Sequence, residues 1–163
     1  MLERLALGDA DERVRRRAFE RMEAEAQLRL VGVVQAGDES FLAGCIGANL
    51  DDQVLSSGDV VAHLISAPAS FRIALIAHAK SEPLAISLTE TLDNDADRAE
   101  VVHGKGAIGA RAAAARCMRD IARLEQIAVE FRDKQRRIYR AAHDRAEALN
   151  VSAEVRQIGR AHV

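Results

Sequence analysis

A helical unit occurs twice in this chain, most clearly from Asp11 to Val34 and from Ala107 to Phe131. Each copy consists of a basic amphipathic helix, a short acidic joint and a second helix with an apolar face. A single pair of this kind cannot bury its apolar faces alone, so such pairs stack on their neighbours. The pattern therefore predicts an all-α repeat protein, an α-solenoid of stacked antiparallel helical hairpins.

The composition also favours helices over strands. Aromatic residues make up only 3% of the 163 residues and there are only 2 prolines. Alanine, the best helix former, is abundant, whereas strands prefer aromatic and β-branched residues. A chain of this length buries roughly 70% of the surface that it exposes when unfolded, which is enough for one domain.

The first unit shows the helical pattern most clearly. Val14, Ala18 and Met22 recur every fourth residue, so they are expected to form the buried stripe of a helix that Asp11 caps. The second helix of the unit is predicted to end near Gly37, a candidate for the C-terminal cap.

The middle of the chain predicts further helices with less regular boundaries. Residues 41–46 supply an apolar face, and a helix is expected from Val54 to Ile65 with an interruption at Ser56 to Gly58. Pro68 and Ser81 each stand where a helix is expected to begin, because proline is tolerated in the first turn and serine caps it.

Two architectures compete between Ala107 and Asn150, where Gly109 is the last glycine and no proline occurs. One is a single long coiled-coil helix, since the apolar residues alternate in spacings of three and four. The other is a set of three shorter helices broken at Asp120 and Asp133. Because the break at Asp120 follows a similar acidic joint at Asn94 by 26 residues, we favour the broken version.

The order Asp11-x-x-Val14-Arg15-x-x-Ala18, followed by an acidic joint, resembles the HEAT repeat, a pair of antiparallel helices stacked into a curved solenoid. The stretch from Arg111 to Leu149 is similar to the N-terminal repeat array of a bacterial family of unknown function. The resemblance implies a HEAT-like array over residues 1–149, and because the role of that family is not established it brings an architecture only. It implies no reaction.

Residues 150–163 form a tail in this reading. Its last six residues, Ile158 to Val163, resemble the translation of a common sequencing-adapter oligonucleotide. We therefore expect residues 158–163 to be artefactual and the natural protein to continue beyond Gln157.

Charge is distributed unevenly along the chain, although the net charge is only −2. Residues 1–97 carry 9 Lys/Arg against 17 Asp/Glu, whereas residues 98–147 carry 12 against 7. A basic end can attract nucleic acid, anionic lipid or an acidic protein, and charge alone does not choose among them.

The cysteines and the N-terminus indicate the compartment. Cys45 and Cys117 lie 72 residues apart within apolar runs, which favours buried free thiols over a disulfide framework. The chain shows no secretory signal and no apolar run of about 18 residues, so we expect a cytoplasmic protein without membrane contact.

No motif predicts catalysis, a cofactor or a metal site. Gly104 to Gly109 has the spacing G-x-G-x-x-G, but helix is expected before it instead of a strand, so we interpret it as a turn that exposes Lys105. The histidines lack the spacing of zinc ligands, and His63 and His78 are expected to be helix-surface or packing residues. The sequence therefore favours a non-enzymatic protein without a small-molecule substrate.

The best candidate site is a basic cluster near the C-terminus. Its members are Arg132, Lys134, Arg136, Arg137, Arg140 and Arg145. They form either a phosphate- or partner-binding edge or an ordinary solvated helix face on which Asp144 pairs with Arg140. The leading hypothesis is a protein-interaction scaffold, and the alternative is a module that binds the phosphate backbone of nucleic acid through this basic helix.

Overall fold

The computed structural model describes residues 1–31, 39–49, 62 and 64–161, and no strand occurs within these ranges. The prediction of an all-α chain is confirmed for them. The helices before residue 50 are α1 (Leu2–Gly8), α2 (Glu12–Glu20), α3 (Ala24–Val31) and α4 (Glu39–Asn49). Those after residue 64 are α5 (Ala69–His78), α6 (Glu82–Glu90), α7 (Asp95–His103), α8 (Ile108–Cys117), α9 (Ile121–Phe131) and α10 (Arg136–Ala161).

Some predictions fall outside the described residues. They are the C-cap at Gly37, the interruption at Ser56 to Gly58, the placement of His63 and most of the helix from Val54 to Ile65.

Polar caps define the beginnings of four helices. In each, a side-chain oxygen accepts a hydrogen bond from a backbone N–H of the first turn, which otherwise lacks a partner. The capping residues are Asp11 of α2, Ser81 of α6, Asn94 of α7 and Asp120 of α9. α5 begins directly after Pro68. The helix starts predicted at Asp11, Pro68 and Ser81 are therefore confirmed.

The stretch from Ala107 to Asn150 is broken, as we favoured. α8 ends at Cys117 and α9 begins at Ile121, while a turn at residues 132–134 separates α9 from α10. The alternative of a single coiled-coil helix is wrong.

The helices pair in a frame that the sequence did not predict. α5 packs on α6, α7 on α8 and α9 on α10, while α4, α5 and α7 form one row and α6, α8 and α10 form another. α5, α7 and α9 begin at Ala69, Asp95 and Ile121, 26 residues apart. The predicted hairpin from Ala107 to Phe131 thus combines the second helix of one pair with the first helix of the next.

The small buried side chains of α8 explain why this helix can occupy the centre of its row. α8 buries a run of alanines, and such small side chains let α6, α7 and α10 pack closely around it. Larger side chains fill the remaining space between helices. Those with no exposed surface include Phe19, Phe71, Leu88 and Leu124.

The buried stripe of α2 differs from the prediction at one position. Ala18 and Met22 are buried as expected, but Val14 is 39% exposed. Phe19, which the predicted stripe did not include, is fully buried instead. On α4 the predicted apolar face is confirmed, with Leu42 and Ile46 fully buried.

Buried or half-buried side-chain donors close the joints between helices. The last carbonyls of a helix have no partner within it, and cationic donors satisfy them well. The donor and carbonyl pairs are Gln27 with Phe19 and Met22, Arg72 with Thr91, Arg98 with Leu92, Arg111 with Val102 and Arg145 with Met118. Four of the 23 Lys/Arg residues of the chain therefore stabilise helix ends.

Asp95 connects two successive pairs. It is the first residue of α7, and its Oδ2 accepts hydrogen bonds from the backbone N–H groups of Arg119 and Asp120, both at 2.7 Å. Its Oδ1 accepts one from Arg98 at 2.8 Å. Partial burial raises the pKa of the Asp95 carboxyl, but these donors outweigh it, and the pKa lies below its ordinary value.

The last helix is long and continues past the predicted boundary. α10 crosses residues 149 and 150 without a break, although Leu149 is half-buried and residues 150–156 are exposed. No helix among the described residues is both long enough and apolar enough to cross a bilayer.

The two thiols are free but differ in exposure. Cys45 is fully buried and Cys117 only half-buried, so the expectation of two buried thiols is met fully at Cys45 alone. Burial raises the pKa of the Cys45 thiol. Because the thiolate is the reactive form, we expect a thiol reagent at pH 8 to modify Cys117 at least about tenfold faster than Cys45, as measured by mass spectrometry of the digested protein. Equal rates in the folded protein would contradict this placement of α4.

Candidate anion-binding groove

The predicted basic cluster lies in the turn before α10 and along its first turns. Ile138 and Ala142 are fully buried where α10 packs on α8 and α9. Arg136 and Arg137 precede Ile138, and Arg140 lies between Ile138 and Ala142. The side chains of all three arginines are exposed. The amphipathic pattern of α10 thus directs its arginines away from the core.

Three of the six predicted cations have partners in the described part of the chain. The contacts are Lys134 with Glu130 (3.7 Å), Arg137 with Glu82 (3.4 Å) and Arg145 with the carbonyl of Met118 (3.0 Å). The first two pairs are exposed and contribute little to stability. The Arg145 contact is half-buried and fixes α10 to the joint between α8 and α9.

The other three cations, Arg132, Arg136 and Arg140, form no hydrogen bond or ion pair with the described residues. The predicted ion pair between Asp144 and Arg140 does not occur among the described residues, whereas the interpretation of the cluster as an ordinary solvated helix face stays a prediction. Asp144 instead lies 3.6 Å from the ring of its neighbour His143. The side chains of Arg136 and Arg140 are therefore available to a ligand.

A groove of about 680 Å³ lies between the end of α8 and the side of α10. Its walls carry five arginines and one aspartate, and alanines supply the apolar part of its lining. The lining residues are Arg116, Arg136, Arg137, Arg140, Ala141, Asp144, Arg145 and Ala148. We call this the arginine groove.

The structure removes two residues from the predicted site and adds one. Four of the six predicted cations line the arginine groove, whereas Arg132 and Lys134 do not. Sequence reasoning missed Arg116, which α8 places on the opposite wall. The available signal in the sequence was an arginine that directly follows four alanines. In the structure the alanines are buried and Arg116 is exposed, so this position marks the end of the buried part of α8.

The opposite side of α10 has a different character. A second groove of about 460 Å³ lies between α9 and α10. It contains three glutamates and two exposed valines, together with Arg132. These residues are Glu125, Glu147, Glu154, Val129 and Val151. Positive charge is therefore concentrated on one flank of α10, where five arginines line the groove.

The glycine motif and the described histidines lie outside the arginine groove. Gly104 and Gly106 are in the turn between α7 and α8, with Lys105 exposed, which confirms the predicted turn. His78, His103 and His143 are exposed on helices, and for His78 this is one of the two placements expected. In the part of the chain that the structure describes, no three His, Cys, Asp or Glu side chains converge as metal ligands.

The chain matches no protein-family model, and no curated protein and no solved structure gives a significant match to it.

Proposed function

We propose that the protein is a non-enzymatic, HEAT-like helical-repeat scaffold of the bacterial cytoplasm that binds another protein. Stacked helix pairs hold their surface side chains in place before a partner arrives, which lowers the ordering cost of binding. The rows of α4, α5 and α7 and of α6, α8 and α10 support this reading.

The arginine groove carries the proposal. The cations that close the joints are engaged inside the protein, but Arg136 and Arg140 stand exposed on a helix anchored by Ile138 and Ala142. Arginine presents a planar set of donors that recognises carboxylates or phosphates in two-point contacts. A rigid surface with unpaired arginines is suited to binding an anionic group of a macromolecule.

A second candidate is a module that binds the phosphate backbone of nucleic acid. The five arginines of the groove favour it, since each cation that neutralises a phosphate releases a counterion. Such binding would weaken steeply with salt.

Affinity capture distinguishes the two candidates. We expect the immobilised protein to recover a specific protein from a nuclease-treated bacterial lysate at about 100 mM salt, and to lose it as salt screens the charges. Recovery of nucleic acid alone from untreated lysate, with nothing retained after nuclease treatment, would contradict the scaffold and favour the second candidate.

A further inference from the structure

On the assumption that the protein is a scaffold, the arginine groove indicates the chemical class of the segment that it binds. Arg136 and Arg140 are one helical turn apart, which places their side chains about 6 Å from each other along α10. Arg116 faces them from α8. This spacing matches carboxylates that lie four residues apart on a helix.

The lining of the groove argues against bases as ligands. Single-stranded nucleic acid is commonly bound by stacking its bases on aromatic rings. The apolar part of this groove is supplied by Ala141 and Ala148, and none of its lining residues is aromatic. The alanines leave room for an aliphatic side-chain stem instead.

The charge outside the groove argues against a long polyanion. A duplex carries one negative charge per about 1.7 Å of its axis, so it would extend well beyond this groove. The groove on the other flank of α10 is lined by Glu125 of α9 and by Glu147 and Glu154 of α10, and residues 1–97 are strongly acidic. A short acidic segment avoids that repulsion because its charge ends with the groove.

We propose that the arginine groove binds an acidic helical segment of a partner protein, with Glu or Asp residues spaced four apart, through Arg116, Arg136 and Arg140. Arg137 and Arg145 shape the walls but are held by Glu82 and by the carbonyl of Met118. The specificity lies in the two-point contacts between guanidinium and carboxylate.

Fluorescence anisotropy with a labelled model peptide tests this assignment. The probe is an alanine-rich helical peptide of about 16 residues with glutamates spaced four apart, compared with its glutamine analogue. A nucleic-acid duplex of equal total charge is the competing probe. We expect the glutamate peptide to bind at about 50 mM salt, to weaken at about 200 mM, and to bind more tightly than either alternative.

The double variant R136Q/R140Q is expected to weaken peptide binding about tenfold, since two charged contacts are lost. The variant R136K/R140K should retain part of the affinity, and R13Q/R17Q, which removes two exposed arginines of α2, should retain all of it. Helical content and melting temperature verify that each variant is folded.

The outcomes separate this inference from the scaffold proposal. Tighter binding of the duplex, or an equal loss in R13Q/R17Q, would overturn the assignment of the groove to an acidic segment. If a lysate protein were captured equally by the natural sequence and by R136Q/R140Q, the scaffold would stand and the groove assignment would fall. If neither peptide nor protein bound but the duplex did, both would fall.

Discussion

Replacing Asp95 with alanine is expected to lower the free energy of unfolding by about 3 kcal/mol. The carboxylate accepts hydrogen bonds from the N–H groups of Arg119 and Asp120 and from Arg98, and each charged hydrogen bond of this kind contributes about 1 kcal/mol or more. The loss also leaves Arg98, only 8% exposed, without its carboxylate. Urea denaturation at pH 7 measures the effect.

Asp133→Ala is the matched control. Asp133 is exposed in the turn between α9 and α10 and makes no side-chain contact with the described residues. Its loss should change stability by less than about 0.5 kcal/mol. Equal effects of the two substitutions would show that Asp95 does not join the helix pairs.

The contribution of Asp95 should also depend on pH. Its pKa is lower in the folded protein than in the unfolded chain, so its stabilisation is present above the unfolded pKa and is lost as pH falls through the folded value. The stability difference between the natural sequence and Asp95→Asn should therefore be largest near neutral pH and narrow below about pH 4. A difference that stays constant down to pH 2 would contradict the pKa direction.

Gly47→Ala is expected to destabilise the protein by about 2 kcal/mol. A Cβ at position 47 of α4 would lie 2.9 Å from the carbonyl oxygen of His78 and 3.0 Å from its carbonyl carbon. These are backbone atoms at the end of α5 and cannot rotate away, so α4 and α5 would have to separate. Such overpacking costs about 1–3 kcal/mol, more than the gain of about 1 kcal/mol from replacing glycine in a helix.

Gly44→Ala, one turn earlier on α4, is the control. Its Cβ would meet only the ring of His78, at 3.9 Å, which is ordinary contact. The gain in helix propensity should therefore dominate and stabilise the protein by up to about 1 kcal/mol. Thermal unfolding of both variants measures the difference, and a loss at position 44 equal to that at 47 would argue against the close approach of α4 to α5.

Local signals made the helix boundaries predictable. Asp11, Ser81 and Asp120 cap their helices through hydrogen bonds within three residues, so the sequence around each contains the whole cause. The choice between a rod and separate helices after Ala107 followed from a different signal, the acidic joint at Asp120 that repeats the one at Asn94 after 26 residues.

Which neighbouring helices form a pair was not predictable from such local signals. α7 with α8 and α8 with α9 are both helix pairs with short joints, and only contacts distant in sequence distinguish them. The buried arginines Arg72 and Arg98 were missed for a related reason. Periodicity assigns charged residues to the surface, whereas these two guanidinium groups satisfy helix-end carbonyls that no sequence pattern displays.

The candidate site was only partly predictable, because some of its features are local in sequence and others depend on how helices pack. The run of cations on α10 is visible in the sequence, and so is the face that Arg136 and Arg140 share. The anchoring of Arg145 by the carbonyl of Met118 and the position of Arg116 on the facing wall depend on how α10 packs against α8.

Backbone amide hydrogen exchange at Arg119 and Asp120 tests the central claim, that successive helix pairs are joined through Asp95. We predict that both amides are protected in the natural sequence and that Asp95→Ala abolishes this protection while the amides within α9 keep theirs. Protection at Arg119 and Asp120 that survives the substitution would mean that these groups donate within an uninterrupted helix, and the stacked arrangement would be wrong.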